Sequence, residues 1–275
     1  MPEGHTLHAL ARRLDAAYAG TTPHVSSPQG KFAQGAALLD GRRLLEASAW
    51  GKHLFVEFDG DAWLHVHLGL IGKFDVTPLA DSVVPPVQGQ VRLRLLTPDH
   101  VADLRGPNLC AVVTPEHVEA TTSRLGPDPL RPDPDADTAW HKISRSSRSI
   151  AELLMDQAVV AGIGNVYRCE LLHRHRVDPF RPGREIRPAT WRAMWDDICA
   201  LMPLGIAAGQ IVTMPDQVEE AHAALAAGQP VQPGERRYLV YRRAQEPCRV
   251  CGARVRTQVV AGRNLFWCGR CQRRR

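Results

Sequence analysis

Between residues 3 and 19 the apolar positions Leu7, Leu10, Leu14 and Tyr18 recur at spacings of three and four. That is the period of one buried helical face, so this stretch predicts an amphipathic helix. From about residue 41 to 113 the pattern changes to short apolar runs: 54–58, 62–68, 72–76, 91–96 and 110–113, punctuated by Gly, Pro and Asp. Several short strands at such spacing predict a sandwich or barrel. Residues 125–137, LGPDPLRPDPDAD, hold four prolines. Proline removes backbone donors, so this stretch carries neither a continuous helix nor a central strand and reads as a linker. The helical period then returns. Ile150, Leu153 and Leu154 share a face, residues 189–202 form a helix after Pro188, and 216–227 form a weaker one. Near the end, 255–260 and 264–267 read as two strands of a hairpin turning at Ala261-Gly262-Arg263.

The stretch from Met155 to Tyr167 joins two of these helices. Gly162 and Gly164 break one helix and open the next, which puts Asn165 at a helix start among bare backbone amides. Such a start suits an anion, although a plain structural corner has the same signature.

Composition changes the picture little. With 44% hydrophobic and 23% charged residues over 275 positions, the chain is an ordinary globular one, long enough for about two domains. No apolar run approaches the ~20 residues of a membrane span. Arg12 and Arg13 are followed by no apolar stretch, so no secretory signal is expected. Charge changes the picture more. Residues 236–275 hold twelve arginines against one acid, Glu246, a net +11 that leaves −6 on residues 1–235 of the total +5. A strongly basic end on a mildly acidic body points to a polyanionic partner.

Four of the seven cysteines sharpen this. Cys248-x2-Cys251, sixteen residues, then Cys268-x2-Cys271 is the spacing of a four-thiolate zinc ribbon. With all four positions supplied by protein the expected zinc is structural, one ion. Arg263 lies at the hairpin tip, where it can reach a partner. Cys110, Cys169 and Cys199 are scattered, which suits a reduced, cytoplasmic protein with one metal site better than a disulfide framework. His65 and His67 alternate along a strand and face one side. They read as a metal pair lacking a third ligand, or as ordinary hydrogen-bonded histidines.

The first residues, Met1-Pro2-Glu3, carry a further possibility. Methionine is trimmed before a small residue, which leaves Pro2 with a free secondary amine. An α-amino group titrates near pH ~7.7–8.0, so a useful fraction is unprotonated and able to attack an aldehyde carbon. Glu3 beside it can move protons. The competing reading is that Pro2 and Glu3 merely open a helix.

Taken together, these residues resemble the formamidopyrimidine-DNA glycosylase/endonuclease VIII (Fpg/Nei) family. The resemblance runs over nearly the whole chain: Pro2-Glu3-Gly4; Gly51-Lys52; the helix–two-turn–helix from Leu154-Met155-Asp156-Gln157 through Gly162-Ile163-Gly164-Asn165-Val166-Tyr167; and Gly262-Arg263 followed by Phe266-Trp267-Cys268 and Cys271. It implies a multidomain α+β fold: an N-terminal catalytic β-sandwich with flanking helices (1–124), a linker (125–137), a helix–two-turn–helix domain (138–234) and a zinc ribbon (235–275). It implies a monomeric DNA glycosylase and abasic-site lyase that acts on damaged duplex DNA in the cleft between its domains, without a nucleotide cofactor or a membrane.

Pro2 is then the expected nucleophile and Glu3 its proton shuttle. Lys52, Asn165 and Arg263 are the expected phosphate grips, with Lys52 and Arg263 also counted in the catalytic set. Leu70 is the expected wedge. The chain departs from the 8-oxoguanine branch at three places. His67-Leu68-Gly69-Leu70-Ile71-Gly72 lacks that branch's methionine, Asp103 to Asn108 lacks its phenylalanine, and Thr6 replaces an acid common in the family. The expectation is therefore the endonuclease VIII branch and a preference for oxidised pyrimidines. Two rivals remain at this point: a non-catalytic damaged-DNA-binding protein on the same scaffold, and a metalloenzyme using His65 and His67.

Overall fold

A computed structural model describes residues 2–81, 83–232 and 234–273. The chain divides into two compact units, Met1–Arg124 and Leu125–Arg275.

The first unit opens with α1 (Gly4–Tyr18) and continues through β1 (His24–Ser26), α2 (Ala33–Leu39), β2 (Leu44–Trp50), β3 (His53–Phe58), β4 (Ala62–His67), β5 (Lys73–Pro78), β6 (Val91–Leu96), β7 (His100–Arg105), β8 (Leu109–Val113) and α3 (Pro115–Thr122). Two antiparallel four-stranded sheets form, in the orders β1-β6-β7-β5 and β2-β3-β4-β8. Their inward residues, among them Leu54, Val56, Leu64 and Val66 from one sheet and Leu93, Leu95 and Leu104 from the other, share a core with Leu7, Leu10, Leu14 and Tyr18 of α1. The spacing of three and four seen in the sequence is thus the buried face of α1.

That helix is also pinned by polar bonds. The Ala47 amide donates to Asp15 Oδ1 at 3.0 Å, and the Tyr18 hydroxyl donates to the Leu95 carbonyl at 3.2 Å. One bond reaches each sheet, so the start of the chain rests on a fixed support.

Three strands escape the apolar-run reading, β1, β2 and β7. In β7 the polar residues Asp103 and Arg105 hide the pattern, yet β7 lies between β6 and β5. Asp103 is buried there because Arg94 of β6 meets it as a two-pronged pair, Nε to Oδ1 at 2.7 Å and Nη2 to Oδ2 at 2.8 Å. A planar fork satisfies both carboxylate oxygens and lets a charge enter a sheet.

The second unit contains α4 (Ala136–Ile143), α5 (Ile150–Leu153), α6 (Asn165–Arg174), a 3-10 turn at Gly183–Glu185, α7 (Pro188–Ala208), α8 (Pro215–Ala226) and the hairpin β9 (Val255–Val260) with β10 (Arg263–Cys268). Residues 125–135, expected as part of a linker, hold no helix or strand but are not a loose tether. The Gly126 amide donates to the Gln157 carbonyl at 2.8 Å and the Ala161 amide to the Pro127 carbonyl at 3.1 Å. A Cβ on Gly126 would lie 2.3 Å from the Val159 carbonyl oxygen, so only glycine allows this approach. Nor does the ribbon form a body of its own, because Val255, Leu265 and Phe266 lie in one core with Tyr167, Leu171, Trp191 and Met194. Helix α7 runs past Pro203, where the sequence predicts its end. Leu204 and Ala208 there join a small apolar cluster with Val212, Ala221 and Val231, which offsets the missing backbone bond. No helix among the described residues is long and apolar enough to cross a membrane.

Candidate active site

In the first unit, Pro2 is half-buried and Glu3 wholly buried. Glu3 occupies the cap position of α1 with extended backbone, and its carbonyl accepts from the Thr6 amide at 2.9 Å. Its side chain does not cap the helix. An acid placed to favour a helix dipole normally stands in water; this one is enclosed.

Lys52 sits in the two-residue turn between β2 and β3, where Trp50 pairs with His53. Around it lies a group of histidines on the outer side of β3 and β4. His53 Nδ1 and His65 Nε2 are 2.8 Å apart, and His67 Nδ1 accepts from the Gly69 amide at 3.1 Å. Burial lowers His53 to about 4, helped by the charges of His67 and Lys52. Burial lowers His65 to about 3, with His53 adding to it. His67 is lowered by burial and then by Lys52. These imidazoles are therefore neutral near pH 7, and His53 and His65 share a hydrogen bond. Among the described residues the one cluster of ligand side chains close enough to share a metal ion is the four cysteines, so His65 and His67 are hydrogen-bonded histidines of the sheet face.

After β4 the chain turns sharply. The Gly72 amide donates to the Leu68 carbonyl at 3.0 Å, and the Asn108 amide to the His67 carbonyl at 2.8 Å. A Cβ on Gly72 would lie 2.3 Å from the Leu68 oxygen and 3.0 Å from the Gly106 oxygen, so glycine lets the two loops close on each other. The turn presents Leu70, 53% exposed, and Ile71, 82% exposed. Arg105, the last residue of β7, is already engaged: Nε to the Gln88 carbonyl at 3.0 Å, Nη1 to Asp75 at 3.1 Å and Nη2 to Asp103 at 2.8 Å.

In the second unit, α5 begins with a reciprocal cap between Ser149 and Glu152. Gln157 then organises the turn: its Nε2 donates to the Met155 and Ile163 carbonyls and its Oε1 accepts from the Gly162 amide, each at 3.0 Å. Gly162 has φ +88°, which a side chain disfavours. The chain so delivered starts α6 at Asn165, as the sequence predicts. Asn165 is buried; its Nδ2 donates to the Asn264 carbonyl at 2.9 Å, and its Oδ1 accepts from Arg168 Nη2. Arg168, fully buried, also donates from Nη1 to the Val260 carbonyl at 3.2 Å and the Ala151 carbonyl at 3.4 Å. The hairpin turns at Ala261-Gly262, both at positive φ, and Arg263 pairs with Val260 as the first residue of β10. Arg263 is exposed.

The chain matches three family models in order: the formamidopyrimidine-DNA glycosylase N-terminal domain over residues 1–107, the formamidopyrimidine-DNA glycosylase H2TH domain over 125–216, and the zinc finger found in FPG and IleRS over 245–274. It is 50% identical to endonuclease 8 1 of Mycobacterium tuberculosis, over 99% of this chain and 100% of the relative. The chain belongs to the formamidopyrimidine-DNA glycosylase/endonuclease VIII family of DNA-repair glycosylases. Its fold is similar to that of MutM (Fpg) from Thermus thermophilus, with TM-score 0.74, 28% identity and 98% of both chains covered. It is also similar to that of Lactococcus lactis Fpg solved with DNA containing N7-benzyl-Fapy-dG, with TM-score 0.79, 22% identity, and 99% and 100% covered.

The Fpg/Nei zinc finger is formed by Cys248, Cys251, Cys268 and Cys271, whose sulfurs all lie within 4.8 Å of one another. Cys251 and Cys268 Sγ are 3.4 Å apart, and Cys248 and Cys271 Sγ 3.9 Å. Four thiolates at ~2.3 Å from one zinc stand about 3.8 Å apart, so the set fits one structural zinc. The backbone amide of Ala253 lowers the Cys251 thiol to about 7. His173, buried on α6, places Nε2 3.4 Å from Cys248 Sγ.

The structure brings Asn165 onto the strand that begins with Arg263, and groups Lys52 with the histidines above the Leu70 turn. Arg168 escapes sequence reasoning, and Gln157 enters it only as part of the helix–two-turn–helix motif, without its role in the turn. A charged residue within a helix reads as solvent-facing, and nothing in local spacing says that Arg168 will cross a core to reach Val260.

Proposed function

We propose that this chain is a bifunctional DNA glycosylase and abasic-site lyase that removes oxidised bases from damaged duplex DNA, pyrimidines in preference. The observation that carries the reading is the buried, non-capping carboxylate of Glu3 directly after Pro2, on a helix pinned to both sheets.

Such a carboxylate can hold or deliver a proton where an exposed one would be levelled by water. The Pro2 nitrogen attacks C1′ of the damaged nucleotide, and the bond from C1′ to the base breaks with its electron pair leaving on the base. Glu3 assists protonation and opening of the sugar ring. The resulting iminium acidifies C2′; loss of that proton expels the 3′ phosphate, and a second elimination expels the 5′ phosphate. Lys52, the amides at the start of α6 with Asn165, and Arg263 grip backbone phosphates. Leu70 enters the space left when the nucleotide is extruded. The enzyme acts as a cytoplasmic monomer, and none of these steps uses a redox or nucleotide cofactor.

Pyrimidine preference is supported by the void-filling loops. Leu70 and Ile71 are apolar and read no hydrogen-bonding edge. Arg105, the basic residue best placed to read an opposite cytosine, is held by Asp75, Asp103 and the Gln88 carbonyl. The likeness to endonuclease 8 1 points the same way. A panel of duplexes, each with one lesion, tests this under single-turnover conditions. Thymine glycol and dihydrouracil should be removed faster than 8-oxoguanine opposite cytosine, and the reverse order would overturn the preference.

A further inference from the structure

The net +11 of residues 236–275 is not explained by Arg263 alone. Five arginines of the second unit pair with acids: Arg148 with Asp156, Arg174 with Asp197, Arg192 with Asp137, Arg237 with Asp216 and Arg243 with Glu246. Others stand singly on neutral groups, as Arg145 does on His141 and Arg249 on the Tyr238 carbonyl. At the base of the ribbon four without an acid gather in one place. Arg254, Arg256, Arg270 and Arg273 line an open hollow of about 370 Å³ with Ala253 and Gly269, and among the described residues no carboxylate lines it. Among the described residues none of the four forms an ion pair with an acid.

The arginines are held in place by backbone. Arg254 Nη1 donates to the Gln245 carbonyl at 2.6 Å, and Arg273 Nε donates to the Arg270 carbonyl at 3.2 Å. The Arg256 guanidinium lies on Gly269 so closely that a Cβ there would meet its Cζ at 2.9 Å. The zinc with its four thiolates carries a net −2, and Gly269 and Arg270 of the hollow lie between two of those ligands, Cys268 and Cys271. Four guanidinium charges exceed it, and a bound anion relieves the remaining repulsion. The guanidinium fork suits phosphate oxygens, which can accept two parallel bonds.

We propose that this hollow is a second phosphate site of the ribbon, separate from the Arg263 tip and filled by a DNA backbone phosphate. Arg256 pairs with Trp267, four residues before Val260, the partner of Arg263. At ~3.4 Å per strand residue the hollow is about 14 Å from the tip, or about four base steps along a duplex strand. It therefore lengthens the grip on undamaged flanking DNA and takes no part in the chemistry. The inference rests on the DNA reading above.

The test is a triple variant, R254Q/R256Q/R270Q, of the full zinc-loaded chain. Its zinc content and melting temperature should match the wild type, since the three side chains are exposed. Binding of an undamaged duplex is followed across a salt series. The slope of log affinity against log salt should fall by ~0.9 for the one phosphate released, with weaker binding at low salt and unchanged cutting of an abasic duplex at saturating enzyme. A slope equal to wild type, where R263A does lower it, overturns the proposal. Inorganic phosphate, titrated against the arginine side-chain signals at fixed chloride, separates the sources. Saturation there with an unchanged duplex slope would make this a free-anion site and overturn the DNA assignment. Failure of the wild type itself to bind any duplex would instead overturn the reading of the whole enzyme.

Discussion

Asn165 and Asn264 are joined by a 2.9 Å bond from the Asn165 Nδ2 to the Asn264 carbonyl, across 99 positions of sequence. Arg168 completes the link by holding Asn165 Oδ1 and the Val260 carbonyl at once. The start of α6 and both strands of the hairpin are thereby set in one arrangement. Arg168→Met would leave these buried acceptors without their donor, each costing ~1–3 kcal/mol. A clear fall in melting temperature is expected, with weaker DNA binding. Arg168→Lys should recover less than half of the loss, because an ammonium cannot reach the three acceptors as a fork does. Equal stability of Arg168→Met and wild type would show that this link is idle.

Pro2→Gly keeps an amine at the start of the mature chain but alters its basicity and shape. Borohydride trapping on abasic DNA should drop at least tenfold while the melting temperature stays near wild type. A form that retains Met1 should give no adduct. An undiminished adduct in that form would move the nucleophile to a lysine, Lys52 first.

Cys248→Ser should abolish zinc retention and loosen the hairpin, because ligand binding and folding are one process in such modules. The loss should extend into the helical unit, since Val255, Leu265 and Phe266 belong to its core. Metal analysis with near-ultraviolet circular dichroism reads both. A zinc-free variant with unchanged aromatic signals would contradict the shared core.

Asp197 predicts the behaviour in acid. Burial pushes its carboxyl up, but hydrogen bonds from His175 and Arg174 and the Arg174 charge prevail and hold it down to about 2 from the usual 3.8. A folded value below the unfolded one contributes stability above pH ~4 that is lost as pH falls toward ~2. The contribution is roughly 2 kcal/mol. Asp197→Asn should therefore be less stable than wild type at neutral pH, and the gap should close as pH drops through that window. A constant gap from pH 7 to 2 would exclude this linkage.

Leu70→Ala should slow removal of an intact damaged base about tenfold or more while changing abasic-site cleavage much less. An abasic nucleotide has no base to be unstacked, so it needs the wedge less. Equal slowing on both substrates would assign Leu70 to positioning of the sugar.

Much was legible in local spacing. The period of three and four marks α1, short apolar runs mark five of the eight strands of the sandwich, Cys-x2-Cys twice marks the zinc ribbon, and glycines at 162 and 164 place Asn165 at a helix start. Each of these is a short-range rule: a side-chain period, a ligand spacing, a backbone freedom. What only the tertiary structure decided is long-range pairing of polar groups. Asp103 enters a central strand because Arg94 is opposite, Arg105 is occupied because Asp75 and Gln88 lie beside it, and Arg168 is buried because the Ala151 and Val260 carbonyls, from other segments, converge on it with Asn165 Oδ1. A charged residue carries no local sign of burial, since its burial depends on a partner that folding brings in. The enclosure of Glu3 belongs to the same class: the carboxylate is read in the sequence, and the burial that gives it a chemical use comes from the packing around the start of α1.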